Sequence, residues 1–139
     1  MIHRSFIPLL AWLFALGAAQ AQLIVPGLLK FETYTNITGT PITGLTEDPR
    51  YPASPSQVLY LTAFDTRTAF PDDSHENYGG RITGFVTPVL SGNYEFFLRS
   101  DDASQLLLST DETEANLAQV AEETGCCGAF EDTLGGHPR

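Results

Sequence analysis

Apolar and polar residues alternate from Leu28 to Thr35, with Leu29 and Phe31 on one side and Lys30 and Glu32 on the other. A repeat of two is the period of a half-buried β-strand. Asn36 to Gln57 breaks that pattern. It is polar and carries Pro41, Pro49, Pro52 and Pro55, so it is excluded as a central strand, because proline cannot donate to a ladder. Val58 to Phe64 predicts the next strand. The acidic loop Pro71-Asp72-Asp73-Ser74-His75-Glu76-Asn77 follows and closes at Tyr78-Gly79-Gly80. Arg81 to Thr87 and Asn93 to Ser100 then read as two arms of a hairpin joined through Pro88 to Gly92. In the second arm Tyr94, Phe96 and Leu98 share one face, and Glu95, Phe97 and Arg99 the other. Alternation assigns Tyr78, Phe85, Tyr94 and Phe96 to the core. Gln105 to Ser109 predicts a short apolar strand. Thr113 to Glu123 supports two readings: a helix capped by Thr113 that buries Leu117, Val120 and Ala121, or a short strand over Leu117 to Ala121. There is no internal repeat. The sum is an all-β chain, expected to be an antiparallel β-sandwich.

The first residues read as processing rather than fold. His3 and Arg4 precede an apolar run, Phe6 to Ala19, and Ala19-Gln20-Ala21 has the small-x-small form of a signal peptidase site. The run is shorter than the roughly 20 residues of a membrane-spanning helix. The expected organisation is a signal peptide over residues 1–21, a short linker over 22–27 and one domain over 28–139, exported and without stable membrane insertion. The final Gly135-Gly136-His137-Pro138-Arg139 is loop chemistry. Ending there would leave a sheet edge unpaired, so the domain is expected to be partial and to belong to a longer chain.

Charge narrows the partners. The net charge is −10, from 7 basic and 17 acidic residues, and residues 1–21 contribute Arg4 but no acid. Nucleic acid and anionic membrane surfaces reward clustered Lys and Arg, so both are disfavoured. Solubility explains most of the acidity. The single tryptophan, Trp12, lies in the signal segment, so any aromatic platform for a sugar must be Tyr or Phe.

Three groups carry candidate chemistry. Asp101 and Asp102 are adjacent at the expected tip between two strands, where a hard cation could bind; by composition alone they are a solvated turn. Cys126 and Cys127 are also adjacent. They could form a vicinal disulfide, bond to partners elsewhere, or remain free thiols; no second Cys or His group stands at zinc spacing. Asn36-Ile37-Thr38 is a glycosylation sequon if the host glycosylates exported chains. Asp72, Asp73, Glu76 and Asn77 match no known calcium loop, and His75 and His137 read as isolated surface residues. Catalysis is not expected. Glycosidases set two carboxyls about 5–10 Å apart across a cleft, which adjacent aspartates cannot do, and no nucleophile elbow or zinc signature is present.

Gly79-Gly80-Arg81-Ile82-Thr83-Gly84-Phe85-Val86-Thr87-Pro88, then Ser91-Gly92-Asn93-Tyr94-Glu95-Phe96, then Ser100-Asp101-Asp102-Ala103-Ser104-Gln105-Leu106 resembles the core of the protective-antigen-type PA-14 domain family. The resemblance is specific over Tyr78 to Thr110, looser from Leu28 to Asn77, and uninformative after Thr124. It implies a β-sandwich of the kind found in secreted glycosidases, adhesins, toxins and bacterial surface proteins. The family's lectins bind calcium through the adjacent aspartates, joined by a cis peptide, and the calcium coordinates sugar hydroxyls. By resemblance, Asp101 and Asp102 are calcium and glycan ligands. A further ligand loop of those lectins lies well downstream and has no counterpart here. The expected function is a secreted, non-catalytic carbohydrate-binding module that tethers a larger protein to polysaccharide or a cell surface. The alternative is a structural or protein-interaction module of a large exported protein.

Overall fold

A computed structural model describes residues 27–127. The signal peptide expected over 1–21, the linker to residue 26 and the expected loop chemistry of the last residues lie outside it.

The fold is all-β, with antiparallel sheets and almost no helix. Strand β1 (Leu29–Thr35) is central in a three-stranded sheet of order β2-β1-β3, between β2 (Gln57–Leu61) and β3 (Tyr78–Thr83). Phe31 stands opposite Leu59 on one side and Ile82 on the other. A separate two-stranded sheet pairs β4 (Ser104–Leu108) with β5 (Ala118–Glu123). The alternation in β1 places Leu29 and Phe31 in the core as expected. There they meet Leu61 and Phe70, with Leu59, Ala69, Tyr78 and Ile82 packed around them. Phe70 meets Phe31 edge-on with ring centroids 5.5 Å apart, and stacks on His75 at 3.8 Å. His75 is exposed, as expected of a surface residue, but it is not isolated, because its ring covers the edge of the core at Phe70.

The other face of β1 is covered rather than solvated. Glu32 and Tyr34 are buried on it. Glu32 pairs with Lys30 and lies 3.8 Å from Arg81, which reaches Glu114 at 2.5 Å. Tyr34 donates its hydroxyl to Pro52 O at 3.0 Å. The proline-bearing segment supplies this cover through a four-residue helix, α1 (Thr43–Thr46), whose Leu45 is buried. Arg50 fixes the segment by gripping both oxygens of Asp48 and donating to Thr35 O at 2.8 Å. The Arg50 fork holds the Asp48 carboxyl down at about 2.

Gly79 and Gly80 make room on opposite faces of β3. A Cβ at Gly79 would come within 2.7 Å of Leu45, and one at Gly80 within 2.8 Å of the Phe31 ring. Backbone without a side chain is the only way for both groups to approach this closely.

Two expectations change. Asn93 to Ser100 is not a hairpin arm; only Leu98 makes an isolated bridge there, and the strand before it stops at Thr83 rather than Thr87. The reason is visible in the burial. Phe85 and Tyr94 are about half exposed, Val89 and Leu90 more so, and without a covering layer alternation cannot drive pairing. The ambiguous Thr113 to Glu123 segment resolves as a single 3-10 turn (Glu114–Asn116) running into β5. The Asp-Asp tip is therefore followed by a strand, β4, but not preceded by one, and β4 pairs with β5.

Candidate functional site

The end of the β4–β5 sheet gathers most of the chemistry. Ser104 opens β4 opposite Glu123 at the end of β5. Asp101 and Asp102 precede β4, Cys126 and Cys127 follow β5, and the sheet brings the two segments together. A main-chain bond from Cys127 N–H to Ser100 O at 3.0 Å closes them. Ala103 N–H donates to Thr40 O at 3.2 Å, tying the tip to the loop after β1.

Both aspartates are exposed. The turn between them is made by Asp102, whose φ is +56°, a left-handed conformation that Asp tolerates better than most residues. The cis peptide bond found among the described residues is Tyr51–Pro52; Asp101–Asp102 is trans, unlike the linkage the resemblance implies. Ser100 Oγ donates to Asp102 O at 2.5 Å and lies 2.6 Å from Ser104 Oγ, which stiffens the turn from within.

Cys126 and Cys127 form a vicinal disulfide, the first of the three open alternatives. Asp101 Oδ1 lies 2.9 Å from Cys126 Sγ and 3.2 Å from Cys127 Sγ. Calcium takes six to eight oxygens. The tip offers it the carboxylate oxygens of Asp101 and Asp102, while the sulfurs beside Asp101 are not calcium donors. Two carboxylates are a small part of the six to eight oxygens of a calcium shell. The residue missed in the sequence is Glu123. It is buried, accepts from Gly125 N–H at 3.1 Å through Oε1, and has no hydrogen-bond partner for Oε2 among the described residues. Only the β4–β5 pairing brings it near the tip; in sequence it is one glutamate in an acidic run.

The other candidates disperse. Asn36, at the end of β1, is exposed with φ +62°, so its side chain is accessible. Asp73 pairs with Arg67 at 2.6 Å, and Asp72 accepts from the Ser74 hydroxyl and amide, which lowers its pKa. Those carboxylates shape their own loop.

A cleft of about 430 Å³ lies between the sheets, lined by residues including Tyr60, Phe85, Leu107, Leu117, Lys30 and Asp111. Tyr60 and Phe85 are both more than half exposed. Asp111 Oδ1 accepts from the Thr113 amide and hydroxyl at 2.9 and 2.6 Å, and Oδ2 accepts from Asn116 at 2.6 Å. These bonds hold its carboxyl at about 2 and fix the loop beside the cleft. Alternation assigns Phe85 to the core, so this aromatic lining is not legible from the pattern.

No family model matches the chain, and no solved structure matches it. A 46-residue segment is 46% identical to part of the mouse N-acetyl-beta-glucosaminyl-glycoprotein 4-beta-N-acetylgalactosaminyltransferase 1, covering 33% of this chain and 4% of that protein. The chain thus shares a short segment with a glycosyltransferase, and spans a very small part of that protein's length.

Proposed function

We propose that this chain is a secreted, non-catalytic carbohydrate-binding module, of the PA-14-like β-sandwich type, that tethers a larger protein to polysaccharide or a cell surface. The observation that carries the reading is the exposed Asp101-Asp102 turn, pinned by Ser100, Ser104 and Thr40 at one end of a sheet. Two adjacent carboxylates on a pinned turn suit calcium, whose remaining positions go to water and vicinal sugar hydroxyls. The shared segment supports a glycan context, since the named mouse protein is a transferase acting on a sugar-bearing glycoprotein. At 46 residues the segment is short for an independent domain, which favours a shared accessory piece over a shared catalytic centre. In this reading any chemistry belongs to a longer parent.

One observation favours the alternative of a protein-interaction module. Val89 is 95% and Leu90 74% exposed, and adjacent exposed aliphatics suit a protein contact better than a sugar.

Calcium titration of the whole chain separates the two. At a hundredfold excess over its Kd, a ligand bound only by the folded state stabilises it by about 2.7 kcal/mol. The expected result is a calcium-dependent rise in Tm that disappears in the Asp101→Asn, Asp102→Asn double variant, with calcium-dependent retention on a glycan array. No rise and no retention leaves the interaction module.

A further inference from the structure

The same tip holds a second set of donors. Asp101 Oδ1, Cys126 Sγ and Cys127 Sγ all lie within 4.8 Å of one another, and all three residues are exposed. A disulfide sulfur carries no hydrogen and no positive charge, so a carboxylate oxygen set against two of them has nothing to accept. The dithiol changes this, because two S–H groups then face the same oxygen. A single divalent cation replacing both thiol protons would supply the missing positive charge more fully.

We propose that Asp101, Cys126 and Cys127, in the dithiol state, form a three-donor site for a zinc-like divalent cation, and that the vicinal disulfide is the closed form of this site. Zinc accepts cysteine sulfur and carboxylate oxygen in a tetrahedral set, and three protein donors leave the fourth position to water. The ligand-bearing segments are held together by the β4–β5 ladder, in which Ser104 stands opposite Glu123, and no atom of that ladder belongs to the disulfide ring. Opening the disulfide therefore leaves Asp101 and the cysteines at the same end of the sheet. Opening needs two electrons and two protons, supplied by a dithiol reductant. The Cys126–Cys127 bond breaks, both sulfurs are protonated, and the reductant's own thiols close to a disulfide. Metal binding then displaces the two thiol protons into solvent. This site shares Asp101 with the calcium reading but makes no use of Asp102, so the two stand or fall separately.

Cadmium is the probe, because its bonds to thiolate give an ultraviolet charge-transfer band. The whole chain is reduced with a dithiol, separated from it without air, and titrated. The expected band saturates at one cadmium per chain, is absent before reduction, and disappears again on reoxidation. Asp101→Asn is expected to weaken binding by about tenfold or more, the scale by which even outer partners of a metal site act. Asp102→Asn is expected to leave it unchanged. A reduced chain with no band overturns the proposal, as does equal binding by wild type and Asp101→Asn, or an equal loss in Asp102→Asn. A second measurement uses the unaltered chain. Zinc should slow alkylation of Cys126 and Cys127 after reduction, and identical rates with and without zinc overturn the site even if Asp101→Asn does not fold.

Discussion

Among the described residues, the large buried hydrophobics all lie before Thr83, and the chain after it adds Ala121 alone to the core. In the first region Phe31, Tyr34 and Leu61 are fully buried, and even Glu32 is enclosed. In the second, Phe85, Val86, Val89, Leu90, Tyr94, Leu107, Leu108 and Leu117 are all at least a third exposed. The first region builds the core, although it leaves Val58, Tyr60 and Phe64 exposed; the second exposes its large apolar side chains, along with the aspartates and cysteines of the tip. Phe85, Val86, Leu107, Leu108 and Leu117 line one cleft, and apolar surface gathered in this way suits contact with a partner or ligand. The difference teaches that the core is built almost wholly by the first part of the sequence, and it can be broken by substitutions matched across the boundary.

The largest effect is expected at Phe31. Truncating a fully buried aromatic removes its burial and leaves a cavity against Phe70, so Phe31→Ala should cost about 3–5 kcal/mol in urea unfolding. Tyr94→Ala, at a side chain 52% exposed, should cost less than about 1 kcal/mol. Comparable losses would mean that the second region has a core of its own. An intermediate effect is expected from glycines. Gly80→Ala places a methyl 2.8 Å from the Phe31 ring and should cost about 1–3 kcal/mol through overpacking. Gly92→Ala meets nothing within 4 Å and should be neutral or slightly stabilising, because it restricts the unfolded chain.

The same boundary separates what could be read in the sequence from what could not. β1 was legible nearly to the residue, because Leu29 and Phe31 alternate with polar neighbours and their burial enforces the period. β2 and β4 were displaced by one to three residues at their ends, where local pattern is weakest. Asn93 to Ser100 alternates just as well as β1 but has no partner that buries Tyr94, so the pattern alone misleads. The tip was legible as an Asp pair. Its junction with Cys126, Cys127 and Glu123 was not, since it depends on the β4–β5 register, with its irregularity between Leu106 and Leu107. Nor did alternation reveal that Glu32 and Tyr34 are roofed by the segment around Arg50. The prolines correctly excluded a strand there, but could not say what the segment covers.

The smallest effects come from two carboxylates, one on each side of the boundary, both held at about 2. Asp48 owes its low value to the Arg50 fork, and Asp111 to Thr113 first, with Asn116 and Ser109 adding to it. A carboxyl whose folded pKa lies below its unfolded value of about 3.9 contributes stability that is present above that value and is lost as pH falls toward the folded one. In each case the difference between wild type and the Asn variant should therefore shrink as pH falls from about 4 to about 2. Where it is seen should differ. Arg50 carries the Asp48 contact on to Thr35 O and to Ser56 Oγ, beside the core strand, so Asp48→Asn should lower the midpoint of global unfolding. Every partner of Asp111 lies between Ser109 and Asn116. Asp111→Asn should then speed amide exchange in that loop alone, where opening is local. If Asp111→Asn moved the global midpoint as far as Asp48→Asn, the two regions would be one cooperative unit, and the division between core and presenting surface would fail.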